Sequence, residues 1–428
     1  MYQIDSSREA LSAAGKLLRR PSQLGVSRKV WLLGLTSLFT DISSEMVTSV
    51  LPLYALVKLK LDPLAIGLIG GVYLGAGSLV RLVGGGLADR TGRYKGVAAA
   101  GYTLSMASRV GLIAMGGSWT SLLWLVSIDR LGKGIRSDAR DALISFSVPR
   151  ERLATAFGVH RALDTVGAMI GPLMAFGLLW VAPGAYDAVF VVSLCAALIG
   201  LSVLVLFVEN APAVVSTPRR REEVTLGAAV RLLRLSSVRP LLIAGTVLNL
   251  ATISDTFFFL TLQRRLEFQV GFFPLLYVAT SAVYMILALP AGVLADRAGR
   301  TRVFIGSHVL LVLAYAALLR PSLGGAEIAG YVVLLGAYYA GTDGVLMALV
   351  SARLPRALRS TGMAQVTTLA GLARFAGSLL FGWLWTWGGL EFAVGTAAGA
   401  LLAAIVLGVF LLGWKREMIS FDDDPSPS

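Results

Sequence analysis

The chain has 428 residues, a mean hydropathy of +0.74 and only 15% charged residues, a balance that argues against an ordinary soluble enzyme of this length. A formal net charge of +13 would suit nucleic acid only if the basic residues gathered on one surface, and they follow loops instead. One cysteine, Cys195, excludes an internal disulfide, and two histidines, His160 and His308, are too few for a His-rich metal cage.

Residues 1–29 carry Arg8, Lys16, Arg19, Arg20, Arg28 and Lys29 without a short apolar core and small-residue cleavage site, and read as a cytoplasmic lead rather than a signal peptide. Apolar runs long enough to cross a bilayer as helices follow at about 30–57, 64–88, 97–117, 119–148, 153–181 and 185–208. The polar stretch 209–240, containing PRRREE (218–223), interrupts the pattern. Six more runs lie at about 241–262, 270–295, 303–319, 327–350, 362–386 and 392–414, before the tail 415–428. The expectation is an all-α membrane protein of twelve transmembrane helices, built as two six-helix bundles, 30–208 and 241–414, joined by a cytoplasmic linker.

Of the 38 Lys and Arg residues, 25 fall on the side holding both termini, and only Lys58, Lys60, Arg264, Arg265 and Arg320 on the other. This asymmetry orients the termini to the cytoplasm and makes the basic patches topology signals, so no nucleic-acid partner is expected.

The fourth run is the unusual one: SIDRLGKGIRSDARDALISF (127–146) places many charges in apolar surroundings. Run 3 leaves the cytoplasmic side after Lys95, so one return crossing is required before Arg150, and neither flank of the charged stretch is long enough alone; the charges are therefore expected within helix 4. Asp129, Lys133, Arg136 and Arg140 recur at i, i+4, i+7 and i+11 on one stripe, beside Arg130, Gly134, Asp138 and Asp141. Such groups must face the bundle interior, a wet cavity or the cytoplasmic mouth rather than lipid. Other interior charges are Asp41 and Glu45 on run 1, Arg81 on run 2, Arg109 on run 3, and His160, Arg161 and Asp164 on run 5. His160 and Asp164 share a face with Gly167 and Gly171, which suit close helix packing.

The halves repeat each other. GGGLADRTGRYK (84–95) matches PAGVLADRAGRTR (290–302), with Asp89 and Asp296 207 residues apart. VPRERLATAFG (148–158) matches LPRALRSTGMA (354–364), with Pro149 and Pro355 206 apart. A duplicated six-helix unit is a recurrent plan of secondary transporters, with the site between the repeats at mid-membrane.

The loop with Gly85, Asp89, Arg90, Gly92, Arg93 and Lys95, and its second copy with Gly292, Asp296, Arg297, Gly299, Arg300 and Arg302, resembles the signature between helices 2 and 3 of the major facilitator superfamily. The resemblance implies that fold across nearly the whole chain. It also implies that Gly85, Asp89, Arg90, Gly92, Arg93, Asp296, Arg297 and Arg300 form a latch on the cytoplasmic gate. Arg130-x-x-x-Gly134 is similar to the Arg and Gly-rich segment of the family's fourth helix, from which Lys133, Arg136 and Arg140 depart by adding cations. GAMIGP (167–172) resembles a fifth-helix signature of family antiporters without its trailing glycines. TDISSEM (40–46), DRLGKGIR (129–136), RDALI (140–144) and HRALDT (160–165) together resemble a bacterial branch associated with metal-related and magnetosome-membrane permeases. A bacterial inner membrane, or one derived from it, is the expected location.

The functional expectation is secondary transport by alternating access, driven by protons, since no Walker motif is present and no cofactor is implied. Asp41, Glu45, Asp164 and His160 are the candidate proton-coupling groups, because a carboxylate's proton affinity depends on desolvation and on neighbouring arginines. Arg130, Lys133, Arg136 and Arg161, with Asp255 on run 7 and Asp343 on run 10, are the candidate substrate-binding groups. The helix 4 cations point to an organic anion or anionic metal chelate. Asp41, Glu45, Asp255 and Asp343 offer hard oxygen ligands for the alternative, a metal cation such as iron. A self-satisfied salt-bridge network is the structural explanation of the same charges. A non-transporting scaffold or receptor on this fold is the other alternative. No nucleophile–base pair suggests an enzyme, and a monomer in the lipid bilayer is expected to suffice.

Overall fold

The computed structural model describes residues 27–75, 80, 92–114, 117–149, 153–209, 239–266, 269–320, 325–353 and 359–413, and every regular element among them is helical. The first half holds α1 (Arg28–Leu53), continued by a π-helical turn over Tyr54–Lys58, then α2 (Pro63–Gly75), α3 (Tyr94–Ala114), α4 (Trp119–Ser145), α5 (Leu153–Val181) and α6 (Tyr186–Phe207). The second half holds α7 (Arg239–Leu250), α8 (Asp255–Leu266), α9 (Phe273–Ala298), α10 (Arg300–Leu318), α11 (Gly325–Arg353) and α12 (Arg359–Leu412). Eight helical stretches among the described residues are long and apolar enough to cross a membrane. Helix α12 breaks at Gly389 (φ 84°, ψ 175°), between the two final predicted spans. The lead through residue 26, the linker residues 210–238, the tail from 414, and Arg81, Gly85, Asp89 and Arg90 lie outside the described residues.

Predicted span 7, read as one run over 241–262, is two helices separated at residues 251–254. The local side chains explain the break. Asn249 and Thr252 turn back to the carbonyls of Gly245 and Leu248 at 2.7 and 2.9 Å, and the freed Ile253 amide donates to the Tyr315 hydroxyl at 2.7 Å. Polar side chains that bond nearby backbone compete with the helix ladder, and a buried hydroxyl can rescue the amide that is released.

Helix α1 packs on α5 and α6, and α3 on α4 and α6; α9 packs on α11, α10 on α11 and α12, and α12 on α7. The α1–α5 contact uses the predicted small-residue stripe. A methyl group on Gly171 would stand 2.7 Å from the Ile42 carbonyl oxygen, so the two backbones touch where only glycine fits. The repeated loop is visible in the backbone as well. Gly92 and Gly299, at matching places in the two copies, both have positive φ (64° and 104°), a conformation strained for a residue with a Cβ. These two turns, with Arg93, Lys95, Arg300 and Arg302 around them, mark one end of the molecule, here termed the basic end.

The halves meet towards the opposite end. A Cβ on Gly67 of α2 would lie 2.7 Å from the Ser378 carbonyl oxygen of α12, and one on Gly382 would lie 2.5 Å from that of Pro63. The Ser378 hydroxyl donates to the Gly67 carbonyl at 3.1 Å. Phe176 and Trp180 of α5 pack on Phe272, which precedes α9, with ring centroids 5.6 and 5.4 Å away.

Candidate functional site

The charged stretch is helical throughout and faces inward: Asp129, Arg130 and Arg136 are 4%, 5% and 2% exposed. Asp129 is the hub. One of its oxygens accepts from Arg109 of α3 at 2.9 Å, and the other accepts from Arg130, through Nε at 3.1 Å and also through Nη2. Arg109 also donates to Ser43 and Ser44 of α1 at 3.4 Å and to Ser108 at 3.0 Å. Arg130 lies over the Tyr73 ring of α2, 4.0 Å from its centroid, and the Tyr73 hydroxyl bonds Thr48 of α1 at 2.8 Å. Arg136 donates to Ser105 at 2.6 Å and sits 4.7 Å above the Tyr102 ring, with no carboxylate within ion-pair distance among the described residues. This network of mutually compensating groups is what buried ions require.

Nearer the basic end, α5 sets Asp164 and His160 against α1. Asp41 of α1 and Asp164 of α5 are close neighbours. His160 Nε2 lies 3.1 Å from the Ser37 hydroxyl, which also accepts from Arg140 at 2.9 Å; Arg140 in turn grips Asp141 through two nitrogens at 2.9 and 3.1 Å. Arg161 is largely exposed and 3.8 Å from Asp164, and Lys133 is half-buried.

Between the halves lies a cavity of about 280 Å³. Its walls come from α1 (Glu45, Thr48), α2 (Gly70, Tyr73), the α7–α8 break (Thr252 to Thr256), α9 (Tyr277, Ser281), α11 (Tyr339) and α12 (Arg374). Tyr339 donates its hydroxyl to Asp255. Arg374 donates to Asn249 at 2.8 Å and lies 3.8 Å from Asp343. Glu45 makes no direct hydrogen bond or ion pair among the described residues.

The structure therefore brings two of the predicted residues, Glu45 and Asp255, into one cavity, with Asp343 behind Arg374. It puts Asp41, His160, Asp164 and Arg161 in a separate α1–α5 cluster. Arg130, Lys133 and Arg136 line no part of the main cavity; Arg130 reaches it only through Tyr73. Of the aromatic residues of the second half, Phe257, Phe258, Phe259 and Tyr338 are buried in the core, Tyr284 is partly exposed, and Tyr277 and Tyr339 line the cavity. Sequence reasoning missed Tyr73 and Thr48, whose types are unremarkable in an apolar run, and assigned no role to Arg374. Asp296 and Arg300 pair at 3.0 Å across the Gly299 turn, beside Arg297. Among the described residues no three His, Cys, Asp or Glu side chains are grouped so that they hold a metal ion.

Two six-helix halves closing on a central polar cavity inside an apolar helical body define a membrane transporter. The chain belongs to the Major Facilitator Superfamily, whose profile matches residues 33–281 and 256–427. It is 28% identical over 370 residues to an uncharacterized MFS-type transporter of Methanocaldococcus jannaschii, covering 84% of this chain and 89% of that one. An uncharacterized protein of Mycobacterium tuberculosis is 38% identical over 178 residues, covering 41% of this chain and 42% of its own length. Among solved structures, the nucleoside transporter NupG superposes with a TM-score of 0.76 at 15% identity over 91% of this chain and 99% of its own. A bacterial homologue of the lysosomal transporter Spinster, in an inward-facing and unoccupied conformation, superposes with a TM-score of 0.70 at 15% identity, over 89% and 96%. At these identities the structures speak to the fold alone.

Proposed function

We propose that this chain is a secondary active transporter that carries a small solute by alternating access and couples the movement to protons. The observation that carries the proposal is the cavity whose walls are drawn from both halves, with the described contacts between α2 and α12, and between α5 and the start of α9, on one side of it. Rocking of the bundles 30–208 and 241–414 about that cavity would open those contacts and expose the site to the other side. One chain supplies both walls, so a monomer suffices.

Positive charge around the Gly92 and Gly299 turns supports a cytoplasmic basic end, with both termini there, in a bacterial inner membrane or one derived from it. The state described is then open inward. Asp296, Arg297 and Arg300 form one copy of the gate latch in this reading, with Gly92 and Arg93 in the other.

Proton coupling is assigned to Asp41 and Asp164, with His160 alongside. Two neighbouring carboxyl groups share a proton, because like charges so close do not both ionise. Movement of α5 against α1 changes that contact and so changes the site's hold on the proton. The anion reading of the α4 cations finds no support in the cavity wall, and the metal-cation reading has no ligand set among the described residues.

The test is flux into proteoliposomes, screening organic anions, organic amines, iron salts and iron chelates with and without an imposed pH gradient. Accumulation that follows the gradient and dissipates with a protonophore is expected. Binding without flux for every solute would favour the scaffold or receptor alternative.

A further inference from the structure

We infer that the central cavity takes a small solute bearing a protonated amine, whose ammonium is held between Glu45 of α1 and Asp255 at the start of α8. The inference concerns the substrate class of the proposed transport site, and rests on that proposal only for the solute's passage, not for its binding.

The argument is a charge census of the wall. Among the described residues, two carboxylates, Glu45 and Asp255, face the space, against one cation, Arg374. Arg374 donates to Asn249 and divides its charge between Asp343 and Asp255, so it balances one carboxylate at most, and the next cation, Arg130, stands behind the Tyr73 ring and is committed to Asp129. Asp255 receives one hydrogen bond, from Tyr339, and Glu45 receives none among the described residues. A carboxylate withdrawn from bulk water without a counter-charge is costly, and an incoming ammonium supplies both the charge and the donors. An anion would meet two carboxylates instead.

The rest of the wall suits the body of such a molecule. Leu51, Pro52, Ile66 and Ile69 line one part, and the rings of Tyr73 and Tyr277 another. Aromatic faces favour ammonium groups as well as alkyl chains. Because Arg374 also borders the cavity, the shared chemistry has two sources: a plain organic cation, or a zwitterion whose acidic end reaches Arg374.

The experiment is thermal unfolding of the full chain in detergent with matched probes in the millimolar range: putrescine against 1,4-butanediol, 4-aminobutyrate against butyrate, and dialanine against its N-acetylated form. A ligand bound only by the folded state raises Tm. At least one amine is expected to raise Tm where its partner without a free amine does not. Glu45→Gln or Asp255→Asn is expected to weaken that binding about tenfold or more, the loss typical of a charge-assisted hydrogen bond. An unliganded Tm near that of the native chain separates lost binding from lost folding, and either variant serves if the other fails to fold. A response to putrescine alone identifies a cation; a response to 4-aminobutyrate or dialanine that Arg374→Gln removes identifies a zwitterion. The inference is overturned if the amine-free partners stabilise equally, if no amine shifts Tm, or if both variants keep the native response. An amine that binds but is not carried into proteoliposomes defeats the transport proposal and leaves this inference standing. Flux of an anion unaffected by Glu45→Gln and Asp255→Asn does the reverse.

Discussion

Arg109 on α3 and Asp129 on α4 pair at 2.9 Å with both side chains almost wholly buried, and the same carboxylate also holds Arg130. Removing the shared acid leaves two buried guanidinium groups without their counter-ion. Asp129→Asn is therefore expected to destabilise the protein by about 3–5 kcal/mol, the usual cost of breaking a buried pair on one side. Combining Asp129→Asn with Arg109→Gln should recover part of the loss, because one stranded charge is removed. Thermal unfolding of the three proteins in detergent checks this; equal Tm values for the single and double variants would show that Arg109 and Asp129 are not coupled.

Ser37 joins two groups of different elements, accepting from Arg140 of α4 and bonding His160 of α5. Ser37→Ala unties both while leaving the α1 backbone unchanged. A loss of about 1–3 kcal/mol is expected, since one bond involves a charged donor and neither group has water at hand as a substitute. The matching change on the exposed Ser118, which bonds Thr120, should leave Tm nearly unmoved. Identical shifts for the two serines would contradict the assignment.

Gly382 and Gly67 set the distance between α12 and α2. A valine at either site meets the backbone of the opposite half, so the contact opens rather than adjusts. Gly382→Val is expected to shift the population toward separation of the halves at this end. Pairs of spin labels on α2 and α12, in a Cys195→Ser background, should report a longer distance than in the native chain. An unchanged distance distribution would mean that the glycine is not the hinge of closure.

The proton role of the α1–α5 acids separates cleanly from substrate binding. Asp164→Asn removes one of the two neighbouring carboxyls without touching the cavity wall. Gradient-driven accumulation should fall to the level of passive equilibration, while exchange of labelled for unlabelled solute across the membrane continues. Dependence on external pH should flatten as well, because the titrating pair is gone. Loss of exchange together with accumulation would assign Asp164 to the transport cycle at large rather than to the proton.

Much of this architecture was legible from residue order. Hydropathy marked the spans, and the two Asp-Arg loops marked the duplication. The need for a return crossing between the end of run 3 and Arg150 put the charges of α4 inside the bundle. Gly167 and Gly171 announced the α1–α5 contact because a bare helix face has few other uses in a membrane. These inferences concern distances along one helix, which covalent geometry and the bilayer impose on any chain.

Which charges meet one another was not available at that level. A stripe on α4 shows that Asp129 and Arg136 face inward, but their separate fates depend on the rotation of α3, which brings Arg109 to one and Ser105 and Tyr102 to the other, while α2 sets Tyr73 against Arg130. The break before Asp255 likewise needs the Tyr315 hydroxyl from α10, 62 positions away, to hold the freed amide of Ile253. The cavity follows from those placements: the arginines that dominate the written sequence are spent on partners within the bundle, and Glu45 and Asp255, drawn from opposite halves, are left facing one space.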